Sequence, residues 1–493
     1  NAGGLITTNG VTNTGIQQYN NATSLNGTYT TNGSNFTVTG ATTLAGNTTV
    51  TVGAGNANFT TVDGGFSLQA NSSGTETFGV VGGTTPLASI STDAPGTVVL
   101  NGNVTTTGAQ TFLDAVTAGT ITLASTGGGT ISATNGANNF TGTLGLSTSG
   151  TASIVDGVGG LTLGTVSAGT LNATSTGGAI TAGQTTVTGT TTVNAGASAI
   201  TMTNAANNFT GAVNLTGGTT QITDANALTL STLATGNLTV TSTGPLNLGQ
   251  GTTGALTATS NNGAITQAAV PSSLVVAGPA NLQAGTGSII LTNPNNDFQG
   301  TVTAAGTGGV SITDINSLQP LLVNAGPGVV LLTAGALVGP GTIIGGTGGT
   351  QSSPKSSLSS TASVTGANIL VTFGSPLLMT GAATNWNFQL GSTANPFQVT
   401  SSSINVSIAG AVQVASVSSL TQSFAVSAAQ ASASAAAAQE AANTFGTDSV
   451  AEQIEFGFAG DVGTLPPMDH RLQGVGIRVP SCFNESREGE ACN

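Results

Sequence analysis

The sequence predicts an all-β fold: a right-handed parallel β-helix (solenoid) with coils of about 22 residues, plus a C-terminal Ala-rich helix and an irregular tail. Three observations predict it. A phrase of sequence returns at wide intervals, as GANNFTG at 136–142, AANNFTG at 205–211 and PNNDFQG at 294–300. Short apolar alternations such as GNLTVTS and GSIILTN are separated by Gly-rich corners such as STGGG and STGGA. Charged residues are only 4% of 493, while 38% are hydrophobic and 74 are Gly.

The repeat comes first. Aligned on Phe140, Phe209 and Phe298, each copy has Ile nine residues upstream: Ile131, Ile200 and Ile289. Thr134-Asn135, Thr203-Asn204 and Thr292-Asn293 follow, then Asn139 or Asn208 directly before the Phe or Asn296 two before it, then Gly142, Gly211 or Gly300. An Asp stands fifteen or sixteen residues beyond the Phe, at Asp156, Asp224 or Asp314. The copies are 69 and 89 residues apart, near three and four units of 22–23, and Asn35-Phe36 echoes Asn58-Phe59 at a spacing of 23. Periods of roughly 20–50 residues mark solenoids and propellers. Propeller blades need about 40 residues and aromatic signatures that this chain lacks.

A coil of about 22 residues holds three short strands and three corners. Thr and Val suit the pleated walls, and Gly and Asn tolerate the positive φ of tight corners. Stacking sets equivalent residues above one another at about 4.8 Å. Phe140, Phe209 and Phe298 are then expected to point into a narrow core, with the Asn side chains meeting corner backbone groups. The repeated Asp reads as an Asx-type turn ahead of a Leu-bearing strand, because one carboxylate per module is too regular for a single active site. At this coil length, residues 1–340 make about 15 coils and a rod of about 70 Å.

The organisation along the chain is expected to be a repeat region over 1–340, an irregular insertion or linker over 341–366, further β coils over 367–421, an Ala-rich helix over 422–445 and a tail over 446–493. The Ala-rich stretch lacks Gly and Pro, which favours helix. Such a helix could cap the unpaired edge of a last coil. Cys482 and Cys492 fit one small disulfide loop in an oxidising compartment, with two free thiols as the alternative. The tail also gathers Asp469, His470, Arg471, Arg478 and Arg487, a candidate assembly segment.

The phrase I-x-x-T-N-x-x-N-[ND]-F-x-G, carried here by Ile131 to Gly142, Ile200 to Gly211 and Ile289 to Gly300, resembles repeats of filamentous-haemagglutinin-like exoproteins of Gram-negative bacteria. The resemblance implies a long β-helix on or outside the cell surface, exported with an outer-membrane secretion partner or as an autotransporter passenger. Host or cell-surface glycans would be ligands of such a protein. Two features depart from that group. Asn293-Pro294-Asn295 lies inside a repeat and lacks the following Gly of a secretion-domain motif, and the chain ends Ala491-Cys492-Asn493 rather than in a terminal aromatic. Residue 1 is Asn, which leads to the expectation that an N-terminal segment, in the simplest case a secretory signal, was removed.

Composition narrows the function classes. A net charge of −13 argues against nucleic acid, and no apolar run reaches the length of a membrane span. His470 is the only histidine, so no His cluster for zinc or catalytic triad can form around a second one, and no G-x-S-x-G occurs. No cofactor motif is present. A polysaccharide-cleaving β-helix would need clustered carboxylates with basic residues, yet Lys355 is the first basic residue. Paired acids could still serve a neutral glycan, Asp63 and Glu76 being one example. Flat Thr-rich faces would suit ice binding, but the Thr runs are scattered. The expectation is therefore a non-enzymatic extracellular protein, either a fibre subunit joined head to tail with itself or a monomeric adhesin. An unpaired strand edge invites another chain, and a contact that does not close propagates a filament.

Overall fold

The computed structural model describes residues 4–334 throughout, and beyond them the backbone of strands from Ala336–Leu337 to Phe456–Gly457. The chain falls into two units, residues 1–254 and 255–493. Each is a parallel β-solenoid. Among the described residues the turns number about 16, each of roughly 20 residues, and no α-helix occurs.

In the first unit three ladders of parallel strands form the walls. Thr75–Val81, Thr97–Leu100, Ala115–Ala118 and Asn139–Phe140 stack on one wall. Ile121–Ser125, Thr143–Thr148 and Leu161–Ala168 stack on the next. Ile131–Ala133, Thr151–Asp156, Thr170–Ser175, Thr191–Asn194 and Val213–Gly217 make the third. The period-two alternation of the sequence is what the walls use. In Thr151–Asp156 the side chains of Ala152, Ile154 and Asp156 are buried, and those between them are half-exposed. Apolar residues on one face of such a wall leave water at about 25 cal/mol per Å² of buried area. The core they fill is narrow, built from Val, Ile, Leu and Ala with single aromatics between layers.

At several levels of this unit one long strand pairs with two successive shorter ones, as Leu228–Thr235 does with Leu246–Asn247 and Gln250–Thr253. Leu161–Ala168 pairs through Leu161–Leu163 with Ile180–Ala182, and through Val166–Ala168 with Thr185–Val187. One wall thus becomes two, at the level where the wall ending in Asn139–Phe140 gives way to a Gly-rich corner, Gly157–Gly160. The cross-section keeps three sides.

This arrangement corrects the coil length. The ladder Ile131↔Ala152, Ala152↔Leu171 and Leu171↔Thr191 makes three turns in 60 residues, so a turn holds about 20, not 22. Ile200 lies nine residues beyond Thr191 and belongs to another ladder, Ile180↔Ile200↔Thr220. The 69-residue spacing is therefore three turns plus one wall. Phe140 and Phe209 both enter the core, but they do not stand above one another: Phe140 pairs with Ala118, and Phe209 with Val187. The second unit shows the same nine-residue step. Leu256↔Ala280↔Val302 is one of its ladders, and Ile289, nine residues after Ala280, belongs to the next, Ile265↔Ile289↔Val310↔Val330.

Aromatic stacking does occur in the first turns. Phe59 and Phe78 are register partners with ring centroids 5.4 Å apart and planes 3° apart, and Phe36 lies 5.5 Å from Phe59.

In the second unit the parallel ladder runs on through part of the stretch expected to be irregular. Thr342–Ile344 pairs with Ser363–Thr365, and Gly349–Ser353 with Ile369–Phe373. Leu377–Gly381, Trp386–Leu390 and Phe397–Thr400 then form an antiparallel meander. Phe424–Ala425, at the start of the expected Ala-rich helix, is a short strand paired with Phe456–Gly457. The rest of that stretch, and Asp469, His470, Arg471, Arg478, Cys482, Arg487 and Cys492, lie outside the described residues.

Candidate functional site

The repeated phrase builds a corner clasp. Its Asn135, Asn204 and Asn293 open the corner: each accepts the amide two residues on, from Ala137, Ala206 and Asn295, at 2.9–3.1 Å. This is the Asx turn, in which a short side chain replaces a backbone acceptor. The corner turns the chain inward, and the next Asn enters the core.

The buried Asn residues are Asn138, Asn207 and Asn296, each 0% exposed. Asn138 Oδ1 accepts the amide of Val116 in the preceding turn at 2.7 Å, and its Nδ2 donates to Ala133 O in its own turn and Val155 O in the following one, both at 2.9 Å. Asn207 repeats this with Thr185, Met202 and Thr223. Asn296 accepts from Leu274 and donates to Leu291, and Gln267 takes up its remaining capacity at 2.7 and 2.8 Å. One amide side chain thus satisfies backbone groups that a tight corner leaves unpaired in a dry interior. Asn139 and Asn208 are half-exposed strand residues. The signal that separates the two positions was present: two before the Phe, all three copies have Asn, whereas one before it they have Asn, Asn and Asp.

The Phe that follows fills the core, and Phe140, Phe209 and Phe298 are 1–2% exposed. The amides of Phe209 and Phe298 donate to Asp224 Oδ2 and Asp314 Oδ2, both at 2.7 Å. The other oxygen of each Asp accepts the amide two residues on, Asn226 at 2.6 Å and Asn316 at 2.7 Å. The Asx-turn reading of these carboxylates holds, with a second role it did not contain. In the first copy, Asp156 Oδ1 accepts Val158 N at 3.3 Å; the Phe140 amide acts on the carboxyl, but Oδ2 lies outside normal hydrogen-bond geometry. Burial pushes all three carboxyls above their ordinary value, and the amide donors offset only part of it. The Gly of the phrase is there for close approach. A Cβ on Gly142 would stand 2.4 Å from Thr120 N, and one on Gly211 2.2 Å from Gly189 O.

A second cluster has no repeat context. Glu76, Asp93 and Asp114 bring one carboxylate oxygen each to within 4.8 Å of one another. They come from three successive turns: Glu76 pairs with Val98, Val98 pairs with Val116, Asp114 stands two residues before Val116, and Asp93 sits at the corner leading to Val98. Glu76 and Asp114 are 0% exposed, and Asp93 is half-buried at the surface side. Ser72 N donates to Asp93 Oδ1 at 2.8 Å. No oxygen of Glu76 or Asp114 has a hydrogen bond of normal geometry, although the Ser72 amide faces Glu76, the Thr92 hydroxyl faces Asp114 and the two carboxyls are close enough to share a proton. Two charges at such a distance repel by about 3–4 kcal/mol at an effective dielectric near 20. No Lys or Arg precedes Lys355 in the sequence to offset them. Burial, then the neighbouring Asp114 and Asp93, push the Glu76 carboxyl up to about 10, and burial raises Asp114 as well. Asp63, named with Glu76 as a possible acid pair, is not part of this cluster; its Oδ1 accepts the amides of Thr84 and Thr85. Glu76 itself is fully buried.

The walls themselves carry an open groove whose lining includes Thr122, Gly145, Ser147, Gly164, Thr165 and Ser167. Among the described residues no helix is long and apolar enough to cross a membrane.

Fold and corner chemistry together define a β-solenoid repeat protein. Two stretches of the chain, residues 149–216 and 235–305, match the model of a family described as repeats of unknown function (DUF5649). Each stretch ends five residues after the Gly of a repeated phrase, Gly211 and Gly300. No curated protein and no solved structure matches the chain.

Proposed function

We propose that the chain is a non-enzymatic structural β-solenoid of the bacterial surface, a fibre subunit that assembles end to end. The observation that supports this reading is where the polar side chains go. Asn138, Asn207, Asp224 and Asp314 are consumed in closing corners. The ladders between turns are backbone bonds in parallel register, so a turn of one copy can stack on a turn of another by the same geometry. Nearly uncharged walls present no repulsion to such contacts. Negative-stain electron microscopy of the purified full chain tests the reading: end-to-end filaments support it. The tail is the proposed docking element, so deletion of residues 466–493 is expected to leave folded monomers.

A second reading is a monomeric, surface-anchored adhesin. The hydroxyl-lined groove around Thr122, Ser147 and Thr165 favours it, because a neutral glycan could lie along such a surface. Particles that stay monomeric at high concentration and bind a glycan array, with binding lost on Thr165→Trp, would support the adhesin.

A further inference from the structure

We propose that Glu76, Asp93 and Asp114 form a binding site for a calcium-type divalent cation, which pins three successive turns of the first unit together. The inference is independent of the fibre reading.

Three observations carry it. The first is the geometry of the oxygens. Two ligands of one calcium ion at about 2.3–2.6 Å lie at most about 5 Å apart, and one oxygen from each of the three carboxylates falls within 4.8 Å of the others. The second is a polar group from outside the acidic set. Thr92 is 3% exposed, its Oγ1 is aimed at the Asp114 carboxyl, and it makes no hydrogen bond of normal geometry. The third is the close approach of oxygens at Gly96. A Cβ there would stand 2.3 Å from Ser72 O, 2.7 Å from Asp114 Oδ1 and 3.1 Å from Gly74 O. The absence of a side chain at Gly96 thus lets Ser72 O, Gly74 O and the Asp114 carboxylate all approach its backbone closely, where a Cβ would not fit. Carboxylates with carbonyl and hydroxyl oxygens are the donor set of a hard cation.

Charge balance decides between an ion and nothing. Buried charges are paired, neutralised or bound to metal. The sequence offers no Lys or Arg before Lys355, so no side chain of this unit can supply the positive charge. What remains is a proton shared by Glu76 and Asp114 or a cation. A proton would satisfy that pair alone. It would leave Asp93 to the Ser72 amide and Thr92 Oγ1 to the Asp114 carboxyl. An ion uses all four, and the half-buried Asp93 gives it a path from solvent.

The test uses the full chain stripped with EDTA. Calcium is titrated by calorimetry, and thermal unfolding is followed at several calcium concentrations. The expected result is saturable binding whose stoichiometry falls by one ion per chain in the double variant Glu76→Gln/Asp114→Asn, together with an unfolding midpoint that rises with log calcium in the original chain and stays flat in the variant. An original chain whose midpoint is the same in EDTA and in millimolar calcium would overturn the proposal and leave a shared proton. Unchanged calcium stoichiometry in the variant would overturn it too, since the ion would then sit on carboxylates elsewhere. Should the variant fail to fold, the titration of the original chain still decides.

Discussion

Phe209 and Asp224 are fifteen residues apart in the sequence, and the amide of the first donates to Oδ2 of the second at 2.7 Å, in the interior of the solenoid. The contact joins consecutive turns through a side chain where the wall strand Asn208–Phe209 is only two residues long. A strand that short makes few ladder bonds, and the carboxylate supplies the missing acceptor. The same relation recurs between Phe298 and Asp314.

Asp224→Ala therefore orphans a buried amide, with an expected cost of about 1–3 kcal/mol. Asp224→Asn keeps an oxygen acceptor at that position and should cost less. Because each turn of a solenoid contacts mainly its neighbours, the damage should stay local. Hydrogen exchange at the Phe209 amide is expected to accelerate in the Ala variant and to remain slow in the Asn variant.

The buried carboxyls also set a pH dependence. Asp156, Asp224 and Asp314 have folded values above the ordinary 3.8, with burial as the leading cause. A group raised in the folded state holds its proton more tightly there than in the unfolded chain. Its contribution to stability is complete below 3.8 and is lost as pH rises through the folded value. In metal-free buffer the chain is expected to be more stable at mildly acidic than at alkaline pH. Asp224→Asn should flatten that slope, as denaturant midpoints across the range would reveal; an unchanged slope would mean that Asp224 does not contribute to it.

Neighbouring asparagines separate by role. Asn207→Ala removes a side chain that serves an amide of one turn and carbonyls of two others. Losing three buried partners should cost several kcal/mol, at about 1–3 each before relaxation. Asn208→Ala changes a half-exposed strand residue and should stay within about 0.5 kcal/mol. Equal effects of the two would contradict the clasp. Phe209→Ala, by the same local unfolding measurement, is expected to cost about 3–5 kcal/mol as a core cavity.

The walls were legible in the sequence because alternation is a local signal: each of Ala152, Ile154 and Asp156 points inward simply by its parity. The recurrence of Asn, Phe and Asp was legible too, as was the turn role of the Asp. The turn length was not, because the phrase advances by one wall as well as by whole turns. Ile131 and Ile200 look equivalent in sequence, yet they stand in different ladders, so dividing 69 by three overstates the turn. In two of the three copies the buried Asn was misplaced by one residue for a related reason, while Asn296 was named correctly. Asn138 and Asn139 are adjacent and identical, and only the parity of the two-residue strand Asn139–Phe140 decides which enters the core. The cluster of Glu76, Asp93 and Asp114 was invisible, since its members stand at unrelated spacings and only the stacking of three turns brings them together.

The central claim is that this solenoid serves by stacking on its own kind. Electron microscopy of the purified full chain over a range of concentrations tests it most directly. The account predicts unbranched filaments one solenoid wide that lengthen with concentration and disappear on removal of residues 466–493. Single particles of one chain at every concentration would contradict it.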